Sequence, residues 1–183
     1  TITRAASLGS LPLYVRAGAI IPMGPTKLYA DQPVSNDYTE IHVWPGTNSF
    51  ALYDDDSLII ATAKTLAVSG NAQSLTFTTG DEAPFGGTLD AFVVAHAMSN
   101  VTAVTLNGAP LPRFANRAAL TTNGWCYDTE TKRATIRFAM GQASQTISVG
   151  SGMTSRRTCT CRRAASTRTA CSTSARPVCT SQN

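Results

Sequence analysis

The sequence predicts an all-β protein: an antiparallel β-sandwich, the end of one sandwich followed by a second, immunoglobulin-like one, with a disordered C-terminal tail. Three observations predict it. Short runs of β-branched and aromatic residues recur along the chain, separated by Gly, Pro, Asn and Ser. Of the 183 residues 43% are hydrophobic and only 14% charged, a mix that suits sheets better than helical bundles. After Gly150 the apolar runs stop. The expected divisions are residues 1–57 for the remainder of the first sandwich, 58–150 for the second and 151–183 for the tail.

Taken in order, Thr1–Leu8 reads as a strand, with Gly9-Ser10 as a joint. Leu11–Pro25 follows, LPLYVRAGAIIPMGP, with two apolar runs, Leu13–Val15 and Ala19–Ile21, around Arg16-Ala17-Gly18. Near-continuous apolarity predicts burial on both faces, and Gly18 permits a bend. Arg16 is then a buried charge that requires a carboxylate or carbonyl partner. Lys27–Asp37 is a loop. Tyr38–Trp44 and Ser49–Tyr53 are strands paired as a hairpin across the turn Pro45–Asn48.

Beyond this point the strand candidates are Leu58–Ala61, Thr65–Val68, Ser74–Thr78, Leu89–Ala97 and Val101–Leu106. Asp81–Gly87 is a loop, and Asn107-Gly108 is a tight-turn signal after an apolar run. Trp125–Tyr127 and Ala134–Ala139 form a hairpin around Asp128–Arg133, and Thr146–Val149 is the last strand. Residues 151–183 are almost entirely Ser, Thr, Arg, Ala and Cys, and cannot bury enough apolar surface to offset the entropy of ordering them. That composition fits a disordered tail or a shifted reading frame.

The net charge of +4 comes from this tail, which holds six arginines and no acid. Without them 15 − 6 = 9 basic residues face 11 acidic ones, a net of −2. No basic stripe with interleaved aromatics exists, so neither a nucleic acid nor a membrane is an expected partner. No run is apolar and long enough to span a bilayer. The chain begins at Thr1 without an initiator methionine or a signal-peptide pattern, and reads as a fragment whose natural start lies upstream.

LPLYVRAGAIIPMGP resembles the segment that follows the catalytic barrel in glycoside hydrolase family 31, the α-glucosidase and α-xylosidase family. His42–Gly46 and Ser49–Asp56 (SFALYDDD) resemble that family's Tyr-Pro-Gly and Phe-x-Leu-Tyr-Glu-Asp-Asp-Gly pieces, in the same order. Ser57 departs from the pattern, standing where the family has glycine. The resemblance implies that residues 1–57 are the remainder of the proximal C-terminal β-sandwich of a parent glycosidase and 58–150 a distal one. It also implies a catalytic barrel elsewhere in that parent as the intramolecular partner. In the family the nucleophile lies in a Trp-x-Asp-Met-Asn-Glu type motif, and nothing here matches it. The expectation is therefore a non-catalytic module of a retaining α-glycosidase, inactive alone. A stand-alone carbohydrate-binding sandwich is the alternative.

No catalytic, cofactor-binding or metal-ligating residues are expected. Asp54, Asp55 and Asp56 are the densest carboxylates, but neighbours on an extended chain point in alternate directions and lack the spacing and glycine of a calcium loop. They are expected to end a hairpin, with Arg16 or Lys64 as partners. His42 and His96 lie in separate strands without a second ligand nearby in sequence. Trp44, Trp125 and Tyr127 could stack on sugar rings, although tryptophans in sandwiches more often anchor cores. Of five cysteines four fall in the tail, and Cys126 reads as a small buried hydrophobe. Asn100-Val101-Thr102 is a glycosylation sequon, compatible with a secreted, lysosomal or endoplasmic-reticulum parent.

Overall fold

The computed structural model describes residues 13–25, 28–29, 32, 39–53, 63–82 and 89–150. Asp54–Asp56, the candidate strand Leu58–Ala61 and the whole tail lie outside the described residues. Eleven strands and no helix are found among those described: β1 (Ile20–Met23), β2 (Thr39–Val43), β3 (Asn48–Tyr53), β4 (Ala63–Gly70), β5 (Ser74–Thr79), β6 (Leu89–Ala95), β7 (Ala103–Leu106), β8 (Ala109–Pro110), β9 (Gly124–Asp128), β10 (Arg133–Met140) and β11 (Gln145–Gly150). The first sheet has the order β1-β2-β6-β10-β9 and the second β3-β4-β5-β11-β7-β8.

Alternation along each strand builds the core between the sheets. Ile41 and Val43 of β2, Ala91 and Val93 of β6, and Ile136 and Phe138 of β10 face inward from the first sheet. Leu66, Val68, Leu75, Phe77, Ile147 and Val149 meet them from the second. The outward residues of the first sheet mix polar side chains such as Glu40, His42, Thr135 and Arg137 with apolar ones such as Ile21, Phe92 and Val94. The expected all-β sandwich is found, and antiparallel pairing dominates it. One exception is β2, which runs parallel to β6.

The hairpin expected across Pro45–Asn48 is instead a corner between sheets. β2 belongs to the first sheet and β3 to the second. The chain turns at Gly46, whose φ of 140° favours glycine, and a Cβ there would collide with the backbone of Ala17 and Gly18. Gly18 N–H donates to Pro45 C=O at 2.9 Å, and Gly46 N–H donates to Gly70 C=O at 2.9 Å. Strands on either side of the division expected at 57/58 consequently share both sheets and one core.

Leu11–Pro25 also differs from its expected form. Leu13, Tyr14 and Val15 are not strand, and Leu13 is 81% and Tyr14 62% exposed. Arg16 is exposed too, so it needs no buried partner. The second apolar run fares better: Ile20 is buried and starts β1. Apolar continuity signalled burial, but the first run lies outside the sheet that ends at β1.

Among the described residues the buried charge is Lys64, only 1% exposed. Its ammonium donates to the carbonyls of Gly80 (2.8 Å), Glu82 (2.9 Å) and Gln142 (3.3 Å). Burial lowers its pKa below the usual lysine value, opposed by Glu82 and Asp81. The Asn107-Gly108 signal holds: both residues have positive φ and close the β7–β8 hairpin. The β9–β10 hairpin is found as expected.

Three stability predictions arise. Gly46→Ala should lower the urea midpoint by an amount equivalent to at least about 1–3 kcal/mol, because it adds left-handed strain to a backbone collision. Gly141→Ala, where a Cβ meets nothing within 4 Å, should stay within about 0.5 kcal/mol. Lys64→Met should cost on the order of 1–3 kcal/mol, since the three carbonyls lose their donor. A midpoint unchanged by Lys64→Met would show that those carbonyls find other donors.

Candidate functional site

The polar outer face of the first sheet gathers the chemistry-bearing groups. Glu40 and His42, two apart on β2, point away from the core formed by Ile41 and Val43. Cross-strand pairing sets His42 opposite Val94, Val94 opposite Thr135, and Thr135 opposite Cys126. The next row sets Glu40 opposite Phe92 and Phe92 opposite Arg137.

His96, just past β6, is 54 positions from His42, yet the two rings meet. His42 Nδ1 and His96 Nε2 share a hydrogen bond of 2.8 Å, with ring centroids 5.0 Å apart. Trp44 stacks on the other ring, its centroid 4.1 Å from that of His96 at an interplanar angle of 4°. His42 Nε2 lies 3.0 Å from Glu40 Oε1. Glu40 in turn accepts hydrogen bonds from the two terminal guanidinium nitrogens of Arg117, which reaches over from the loop between β8 and β9. Arg117 and Arg137 both lie over the ring of Phe92, at 5.1 and 5.6 Å, and Arg137 holds Asp90 bidentately.

The electrostatics follow from these contacts. Hydrogen bonds from Arg117 hold the Glu40 carboxyl below the usual carboxylate range. Burial, then the neighbouring charges of His42 and Arg133, push His96 down to about 4. An N···N hydrogen bond needs a proton on one facing nitrogen and a lone pair on the other, so protons on both His42 Nδ1 and His96 Nε2 would break it. His96 is the ring kept neutral. Burial raises the Cys126 thiol and disfavours its nucleophilic thiolate. Among the described residues no group of three His, Cys, Asp or Glu is arranged to hold a metal ion.

The other sequence candidates fall elsewhere. Trp125 is 2% exposed, and its indole donates to Leu111 C=O at 3.1 Å. Tyr127 packs on the core and its hydroxyl donates to Met98 C=O at 2.8 Å. Both are anchors, so neither ring is free to stack on a sugar. Asn100 is exposed on the turn after β6, with φ of 50°. The sequence hid the His42–His96 pair because His42 of β2 and His96, one residue past β6, meet only through the parallel pairing of those strands. The available signal was Glu40 and His42 on one face of β2. Glu40–Arg117, 77 positions apart, left none.

A pH dependence follows from His96. Its folded pKa of about 4 lies below the unfolded value of 6.5, so between those values the unfolded chain binds the proton and the folded one does not. Stability from this group is complete above the unfolded pKa and falls as pH drops from 6.5 towards 4. His96→Gln should flatten that part of a stability–pH curve measured by urea midpoints. An NMR titration placing the His96 pKa at or above 6.5 would contradict the arrangement.

No protein-family model and no curated protein matches the chain. Solved structures do. A GH31 dextranase of Flavobacterium johnsoniae complexed with glucose superposes with a TM-score of 0.62 at 17% identity, covering 75% of this chain and 19% of that one. A mutant of the same dextranase with isomaltotriose gives 0.62 at 18% identity, with the same coverage. The cycloalternan-forming enzyme of Listeria monocytogenes, in complex with a pentasaccharide substrate, gives 0.57 at 24%, covering 73% of this chain and 13% of that one. The chain thus spans less than a fifth of the length of these structures. Its β-sandwich is a fold that recurs as one part of larger enzymes, a GH31 dextranase among them.

Proposed function

We propose that the chain is a non-catalytic β-sandwich module of a retaining α-glycosidase of the family 31 type. Hydrolysis of α-glucosides or α-xylosides would be carried out by a catalytic barrel elsewhere in the parent. Cleavage with retention needs a carboxylate and a raised-pKa carboxylic acid about 5–5.5 Å apart. Glu40 and Asp90 of the outer face suit neither role, because an arginine occupies both oxygens of each. Arg117 clamps Glu40 and lowers its pKa, and Arg137 holds Asp90 in the same bidentate way.

The observation that carries the reading is an apolar edge. Leu13, Tyr14 and Val15 are exposed ahead of β1 in the chain, Ile21 and Met23 share the outer face of β1, and Phe50 and Tyr53 are exposed on opposite faces of β3. β1 is one border of the first sheet and β3 one border of the second, brought together by the Gly18–Gly46 crossing. Exposed apolar side chains concentrated on two adjoining border strands support the reading of this edge as a docking surface. The module would use it to cover the barrel and steady nearby active-site loops.

Two measurements test this. The isolated chain should not turn over p-nitrophenyl α-glucoside or α-xyloside; turnover abolished by Glu40→Gln or Asp90→Asn would overturn the reading. Replacing Leu13, Tyr14 and Val15 together by serine should move the isolated chain's urea midpoint by no more than about 0.5 kcal/mol. In the longer parent protein the same triple change should lower thermal stability. Equal stability of the two parent forms would remove this edge as the docking face.

A further inference from the structure

Asn100 stands in the connection that carries the chain from β6 of the first sheet to β7 of the second, with Val101 and Thr102 after it. That connection is pinned from the inside. Met98 and Val101 are buried in the core. The backbone N–H groups of Met98, Ser99 and Thr102 donate to the carbonyls of Lys132, Ala72 and Gly150. Asn100 N–H donates to the Tyr127 hydroxyl at 3.1 Å. With its neighbours anchored, Asn100 is left outside: it is exposed, at a φ of 50° that asparagine tolerates better than most residues. No hydrogen bond among the described residues uses its side-chain amide.

We propose that Asn100 is the attachment site of an N-linked glycan, supplied by a lipid-diphosphate-linked oligosaccharide. In that transfer Asn100 Nδ2 bonds to the anomeric carbon of the oligosaccharide. The bond from that carbon to the diphosphate oxygen breaks, its electron pair leaves with the lipid diphosphate, and a base takes the proton lost by the amide. Of the eight asparagines in the chain, Asn100 alone has Ser or Thr two positions later and no proline between. Asn71, Asn107, Asn116 and Asn123 are equally exposed, but Gln73, Ala109, Ala118 and Trp125 stand where the hydroxyl is needed. Exposure therefore does not single Asn100 out, and Thr102 does.

The fold also gives a bulky, solubilising group room. Asn100 is held by Tyr127 of β9 and lies three residues before β7. In the first sheet β9 is the border opposite β1, and in the second β7 is four strand positions from β3. At roughly 4.8 Å per position that is about 19 Å across either sheet. A glycan at Asn100 thus stands on the side of the sandwich away from the apolar edge and leaves that edge open. The inference rests on Asn100, Thr102 and their setting, and holds whether or not the chain belongs to a glycosidase.

The test is to produce the full chain in a eukaryotic cell behind a cleavable secretion signal, beside the same chain without the signal. The secreted form is expected to run as a larger species that peptide N-glycosidase converts to the size of the cytosolic form. Mass spectrometry should place the conversion of amide to acid at Asn100. Asn100→Gln and Thr102→Ala should abolish the shift, Thr102→Ser should retain it, and Asn71→Gln and Asn116→Gln should leave it unchanged. Trimming the glycan from the folded wild-type chain should leave its urea midpoint unaltered, as for a group outside the core. A secreted wild-type chain without glycan overturns the proposal, and so does a size shift that survives Asn100→Gln. Peptide mapping of the wild type decides the matter even if a variant fails to fold. None of these outcomes bears on turnover or on the apolar edge, so this proposal and the module reading fail separately.

Discussion

The parallel pairing of β2 with β6 is the constraint on which the sandwich depends. Parallel neighbours cannot be joined by a tight turn and need a long crossover. Here the crossover is itself sheet: between β2 and β6 the chain lays down β3, β4 and β5 in the opposite layer. One pairing thereby ties the first third of the chain to the rest and closes the core from both sides. It also sets Glu40 and His42 in register with Phe92 and Val94, which is why the polar outer face exists as one surface. The glycine corner at Gly46 makes the crossover sterically possible by letting the chain leave one layer for the other beside Gly18.

Elements whose signals are local were legible in the sequence. Asn107-Gly108 specifies its own left-handed turn, and the alternation of β10 specifies which side chains go inward. Most strands, the β9–β10 hairpin and the buried Trp125 and Cys126 follow from such local rules. What failed depended on distant partners. Pro45-Gly46 marks a turn equally well whether the next strand pairs back or crosses to the other layer. Leu13–Val15 is as apolar as a core strand, and only the position of β1 at the sheet edge leaves it uncovered.

Charge placement was the least legible feature. Arg16 looked buried because its neighbours are apolar, and it is exposed. Lys64 sits in an alternating segment where a cation would ordinarily face water, yet it points inward to three carbonyls at the ends of other strands. Neither outcome is encoded within five residues of the side chain concerned. The candidate site has the same character: His42 meets His96, and Glu40 meets Arg117, through topology alone.

The two outer strands at the apolar edge are not equivalent as templates for another chain. β1 contains Pro22, which lacks an N–H and interrupts any row of donors it could offer. β3, reading Asn-Ser-Phe-Ala-Leu-Tyr, has no proline and no charge, and it is the last described strand of its sheet. An uncharged, aromatic-bearing border strand of this kind favours addition of a further strand, including β3 of a second molecule. Covering that border would therefore protect the protein from self-assembly as well as hold it in place.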